Sequence, residues 1–185
     1  MCKSNESLID LRIMKQIFTY RQSGIDDLTK LKNLGIISYS EYASVLSKKN
    51  WNKLNTILHD EERLAILMNK STVFVCESGQ EIVGMIFYFP HGNPTEIFDA
   101  DWAYIRFLGV DPAYRSHGIG KQLTKLCINL AVQTHEKTIA LHTGDFMSSA
   151  RKMYKQMGFE RKGAFEQFGK KYWIYNFKLK ETPDL

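Results

Sequence analysis

Val110-Asp111-Pro112-Ala113-Tyr114-Arg115-Ser116-His117-Gly118-Ile119-Gly120-Lys121 is the most informative segment of the chain. An apolar run, Ile105 to Val110, precedes it and reads as a strand. Behind it, Ile119, Leu123, Leu126, Cys127, Leu130 and Ala131 recur at intervals of four, three, one, three and one, which lays one apolar stripe along a helix. Two glycines and Arg115 therefore sit where a strand turns into a helix N-terminus. Unpaired N–H groups and the helix dipole favour an anion at such a junction. The loop reads as a phosphate cradle.

What the loop lacks narrows the ligand. A dinucleotide fingerprint needs a third glycine where Leu123 stands, and a Walker loop needs glycine at Arg115 and Ser or Thr at Gln122. What remains is Arg-x-x-Gly-x-Gly after a strand ending in Val-x-Pro. This pattern resembles the acetyl-coenzyme A loop of the GNAT acetyltransferase superfamily. A second block strengthens the resemblance. Lys137 to Thr143 reads as a buried strand, and Ser148 to Gly158 as a short helix with a serine cap and a glycine stop. Its Ala150-Arg-Lys-Met153-Tyr154-Lys-Gln-Met-Gly158-Phe159 is similar to the superfamily's Ala-x-x-Leu-Tyr-x-x-x-Gly-Phe signature, with Met153 in place of leucine. The two blocks cover roughly residues 102–160.

The resemblance implies an α/β (α+β) fold with a mixed, mostly antiparallel central sheet flanked by helices. It implies one domain over residues 1–185, with residues 1–70 a mostly helical acceptor-side half. It also implies acetyl transfer from acetyl-CoA directly to a primary amine of a small molecule or protein, without a metal. The pyrophosphate is expected on Arg115, Ser116, His117, Gly118, Ile119, Gly120 and Lys121, and the pantetheine arm on the main chain of Leu108, Gly109 and Val110. Tyr154 matches the tyrosine that protonates the leaving thiolate. A tyrosine filling the inner helix face with Met153 and Met157 is the alternative.

The base is the open position. A lysine-like amine must lose a proton about 3.4 units below its pKa at pH 7, or roughly 4.6 kcal/mol. Many relatives place a glutamate on the fourth strand where this chain has Tyr104. Tyr104, His142 and Asp101 are the weak candidates left, and His142, on an apolar strand, reads more readily as a hydrogen-bonded core histidine. Where the family often has asparagine before the second helix, this chain has Met147, with Ser148 or Ser149 as substitutes. These departures keep a catalytically silent CoA-binding sensor or scaffold in view. A nucleotide-phosphate binder is argued against by the missing Walker and dinucleotide positions.

Composition sets the class. The 185 residues are 44% hydrophobic and 24% charged, ordinary for a soluble globular chain. The formal charge of +5 is scattered rather than grouped with aromatics, so no nucleic-acid or membrane partner is expected. No stretch approaches the ~18 apolar residues of a membrane span, and the N-terminus has no signal-peptide core. Cys2, Cys76 and Cys127 lack metal-ligand spacing, which makes the cytoplasm the expected compartment.

Along the chain, residues 8–22 are mixed, a helix is expected from Gly24 to about Leu34, and helical pattern runs from Ser40 to Asn69 with a break near Asn50. Strands are expected at 71–76, 82–89, 102–110, 164–167 and 172–179. The loop Pro90 to Ala100 is expected to line the acceptor side of a cleft. There Trp102, Tyr104, His91 and the acidic Glu96, Asp99 and Asp101 would favour a cationic amine. Tyr172-Trp173-Ile174-Tyr175 offers either a core strand or an edge for a homodimer.

Overall fold

Apolar runs broken by Ser78-Gly79-Gln80-Glu81 and by residues 90–102 become consecutive antiparallel strands in the computed structural model, which describes residues 17–179. The strands are β1 (Phe18–Gln22), β2 (Thr72–Ser78), β3 (Glu81–Phe89), β4 (Ala103–Val110), β5 (Thr138–Gly144), β6 (Glu160–Gln167) and β7 (Lys170–Lys178). The helices are α1 (Leu28–Tyr39), α2 (Lys48–His59), α3 (Glu61–Asn69), α4 (Ile119–Gln133) and α5 (Ser148–Gln156). One seven-stranded sheet results, in the order β1-β2-β3-β4-β5-β7-β6. Only β4 and β5 run parallel. The expected mixed, mostly antiparallel sheet with flanking helices is what forms.

The helices cover both faces. On one, Ile119, Leu123, Cys127 and Ala131 of α4 bury against Val83, Ile86, Ile105, Ile139 and Leu141, joined by Tyr154 and Phe159. Leu126 and Leu130, on the flanks of the stripe, are half-buried. Gly84 lets α4 lie close to β3: a Cβ there would stand 2.6 Å from Ile119 Cγ2. On the other face, Leu31 and Leu34 of α1 with Leu64 and Leu67 of α3 pack on Val73, Val75, Phe87 and Phe89. Full burial of such side chains contributes about 1.5–3 kcal/mol each.

Several boundaries differ from expectation, for local reasons. The chain enters α1 through a 3-10 turn at Ile25–Asp27, and α1 runs on to Tyr39 rather than stopping near Leu34. The break expected near Asn50 falls instead at Ser47 and at Asp60. Ser47 Oγ accepts the Asn50 N–H at 3.3 Å and Asp60 Oδ1 accepts the Arg63 N–H at 2.8 Å, so each caps a new helix. The α5 cap position belongs to Met147, with no side-chain cap from either serine, whereas Gly158 does take the left-handed stop at φ +92°. The β6 strand opens at Glu160, four residues early. Cys2 and the early part of the 8–22 segment lie outside the described residues. No described helix is long and apolar enough to cross a membrane.

One irregularity positions the site. Met85 pairs with Gly109 and Phe87 with Arg106, so β4 carries one residue more than β3 over that interval. The extra residue is a bulge at Phe107, which sits at φ +52°. Meanwhile β4 and β5 pair only through Ala103–Ile139, Tyr104–Ala140 and Ile105–Leu141, then part.

Candidate active site

The cradle loop is shaped by its own backbone. Asp111 Oδ1 accepts the Ala113 N–H at 2.8 Å and starts a 3-10 turn over Pro112–Tyr114. Ser116 at φ +66° and Gly118 at φ +79° then turn the chain into α4. The first intrahelical bond is Gln122 N–H to Gly118 O at 3.0 Å. Among the described residues, no protein acceptor takes the N–H groups from Ser116 to Lys121. Six consecutive donors at a helix N-terminus suit a diphosphate. At Gly120 a Cβ would make only ordinary contacts, 3.5 Å from Leu108 Cδ2 and 3.7 Å from Met153 Sδ, so the protein leaves this position open.

The side chains of the loop are engaged differently. The Arg115 guanidinium turns to the α1 side, donating to Glu41 Oε2 at 2.7 Å, Ser38 O at 3.1 Å and Val110 O at 3.4 Å. It ties the loop to the helical half. His117 is exposed, its Nδ1 2.8 Å from the Arg115 carbonyl, and Lys121 is exposed on the first turn.

Where β4 and β5 part, a cleft of about 840 Å³ opens. It is lined by Leu108, Gly109 and Val110, the loop from Arg115 to Lys121 apart from His117, and Ser148, Ser149 and Tyr154 of α5. Beyond Ile105 the β4 edge that faces β5 has no strand partner. Tyr39 Oη donates to Leu108 O at 3.4 Å. At Gly109 a Cβ would stand 2.6 Å from Ser38 Oγ, so this glycine lets the end of α1 close over the strand. Met147 turns its sulfur back on β5, accepting from Thr143 Oγ1 at 3.3 Å and from the Gly144 N–H at 3.4 Å.

Tyr154 is 4% exposed, touches Phe159 edge-on at 5.7 Å and lines the cleft. Its hydroxyl has no hydrogen-bond partner among the described residues. Burial, then the neighbouring Tyr39 and Cys127, pushes its pKa well above the usual phenol value. The ring is both a packing element and a fully protonated donor at the cleft wall.

The weak base candidates separate. Tyr104 is in the core, stacked between Phe89 at 4.8 Å and Phe98 at 4.6 Å, and does not line the cleft. Asp101 is exposed in the turn before β4. The loop from Pro90 to Ala100, with His91, Glu96 and Asp99, joins antiparallel β3 and β4, so it emerges at the opposite end of the sheet from Val110. The expected acidic acceptor wall therefore does not form. His91 pairs instead with the buried Glu136, Nδ1 to Oε1 at 3.1 Å. Of the three, His142 alone lines the cleft, among Phe98, Phe165 and Tyr172. Burial, aided by the positive Arg106, lowers its pKa to about 3, which keeps it neutral and makes it a poor proton acceptor.

The wall of the cleft away from the cradle is built by residues that sequence reasoning did not bring together; Tyr172 reads from sequence only as part of a strand or a dimer edge. Tyr39, Tyr42, Phe146 and Tyr172 stand in edge-to-face succession, with centroids 5.3, 5.1 and 5.9 Å apart. Gly144 permits this wall, since a Cβ there would lie 2.6 Å from Phe146 Cε1. Arg106 and Arg63 complete it. The signal available for Arg106 was a lone charge inside the apolar run Ala103-Tyr-Ile-Arg106-Phe-Leu108.

The chain is similar to N-acetyltransferase 8 of Homo sapiens, 29% identical over 123 residues, covering 64% of this chain and 53% of that protein. It thus spans about half the length of this curated relative. Its fold is shared with PaiA N-acetyltransferase of Thermoplasma acidophilum in complex with coenzyme A, with TM-score 0.72, 16% identity and coverage of 88% of this chain and 99% of that one. YncA of Salmonella typhimurium, solved with acetyl-CoA, shares it at TM-score 0.63 and 16% identity over 90% and 96% of the two chains. The Acetyltransferase (GNAT) family model matches residues 38–159, from the end of α1 over the cradle to the glycine stop of α5, and the chain belongs to that family.

Proposed function

We propose that this chain is an acetyl-CoA-dependent N-acetyltransferase that moves the acetyl group directly to a primary amine. The observation that carries the reading is a single cleft joining the unpaired N–H groups of the loop, the unpartnered edge of β4 and the Tyr154 ring. Bound acetyl-CoA would supply an activated thioester to that cleft. The N–H groups from Ser116 to Lys121 would hold its pyrophosphate, and the main chain of Leu108 to Val110 its pantetheine arm. The Tyr154 hydroxyl would donate to the leaving sulfur. A buried phenol is a weaker acid than a free one, but the same desolvation raises a thiol's pKa, as it does for Cys127 in this protein. Donor and acceptor shift together, and the transfer stays near its intrinsic balance.

Deprotonation of the amine needs no strong base on this reading. Arg106 and Arg63 along the wall disfavour the ammonium form by like charge. A CoA-binding module without turnover is the second reading, favoured by the low basicity of His142. Two measurements test the pair. Thermal stabilisation by acetyl-CoA and CoA but not ATP at matched concentration, about 2.7 kcal/mol at ~100 times Kd, is expected for the cofactor. Thiol release with an amine panel is expected for the transferase, and stabilisation without release would favour the silent module.

A further inference from the structure

Arg106 is the first residue of β4 beyond its last pair with β5. The bulge puts it and Phe107 on the α1 face together, and the guanidinium carbon lies 4.9 Å from the Phe107 ring centroid. The ring holds the cation without neutralising it. Among the described residues, no carboxylate or carbonyl accepts from the Arg106 side chain, nor from that of Arg63. Arg115, by contrast, is matched by Glu41 at 2.7 Å. Arg106 is half-buried and Arg63 exposed; an unmatched, partly buried guanidinium is unfavourable in the free protein, and an arriving anion relieves it. No other acid on the cleft wall offsets the two arginines, because Glu41 is already paired and Glu96, Asp99 and Asp101 are elsewhere.

We infer that Arg106, with Arg63 beside it, recognises a carboxylate on the acceptor, and that the amine acetylated belongs to the free amino-acid class with an apolar side chain. This deepens the acetyl-transfer reading and rests on it. A planar guanidinium fork matches a carboxylate through two parallel N–H donors. The edge-to-face rings Tyr39, Tyr42, Phe146 and Tyr172 take the apolar remainder of the same molecule. A polyamine or aminoglycoside would instead meet two like charges and no counter-charge.

The test is thiol release from acetyl-CoA with a panel of free apolar amino acids, each run against its carboxamide and against the matching decarboxylated amine, for the native chain, Arg106→Gln and Arg106→Lys. The expected result is a kcat/KM at least about tenfold higher for the free carboxylate on the best side chain. That ratio should fall towards one in Arg106→Gln and recover in part in Arg106→Lys. Stabilisation by CoA should persist in both variants, which shows that they fold and keep the cradle. Carboxamides or simple amines acetylated as well as the acids, or a ratio unchanged in Arg106→Gln, would overturn the carboxylate assignment and leave acetyl transfer standing. No release with any amine while CoA still stabilises the protein would overturn acetyl transfer, and the assignment with it.

Discussion

The two sides of the cleft are built from different material. The side proposed for the cofactor is main chain: six N–H groups from Ser116 to Lys121, the free edge of β4, and glycines at 118 and 120 that keep side chains out of the way. The side proposed for the acceptor is side chain: four aromatic rings and two guanidiniums carried by α1, the segment after it, α3, the bulge, and the ends of β5 and β7. Backbone recognition tolerates sequence change so long as the path of the chain survives. Side-chain recognition changes with each substitution. A family can hold one cofactor and vary its acceptor for this reason.

The contrast makes unequal demands on variants. Tyr154→Phe removes the side-chain donor that faces the cofactor side, and kcat should fall about 100-fold with KM for acetyl-CoA little changed. Steady-state thiol release checks it, and unaltered kcat would reduce Tyr154 to packing. Gly120→Val puts γ carbons into the open cradle, and CoA affinity should weaken by about 10- to 100-fold, or about 1–3 kcal/mol, in calorimetry. Retention of native affinity would falsify the backbone cradle. Lys121→Ala alters only an exposed charge there and should cost about 0–1 kcal/mol of binding, less at high salt. A large loss would mean that side chains, not the main chain, dominate this side.

His142 on the acceptor side gives a pH signature of the fold. Its folded pKa, about 3, lies below the unfolded value of 6.5, so the unfolded chain binds the proton more readily between these limits. The stability it contributes is complete above pH 6.5 and lost progressively as pH falls towards 3. Urea unfolding from pH 7 to 4 should show a slope that flattens in His142→Phe, and an unchanged slope would assign acid sensitivity to other groups.

What was legible in the sequence follows the same division. The cradle could be read because its determinants are local: a strand end, two glycines and a helical stripe within thirty residues. The α5 signature could be read for the same reason. The acceptor wall could not, since Tyr39, Phe146 and Tyr172 meet only when strands distant in sequence are ordered across the sheet. The loop from Pro90 was misplaced because its polarity says that it is a loop and not at which end of a hairpin it lies. Tyr104 aligned with a catalytic position but stacks between Phe89 and Phe98, an environment its neighbours in sequence do not disclose. Arg106, two residues on, carried the only charge in that run.

The bulge at Phe107 gives this strand an arithmetic. Side chains alternate, so an added residue reverses the parity of everything after it: Leu108 faces α4, and Gly109 faces Ser38. Deleting Phe107 would restore the even count opposite Met85–Phe87, leave Leu108 and Gly109 on the faces they now have, and remove the kink that turns β4 away from β5. The sheet would zip shut where the cleft now opens. Loss of that one residue is therefore a change between an open and a closed molecule, and the bulge should be kept among working relatives far more strictly than residue identity is.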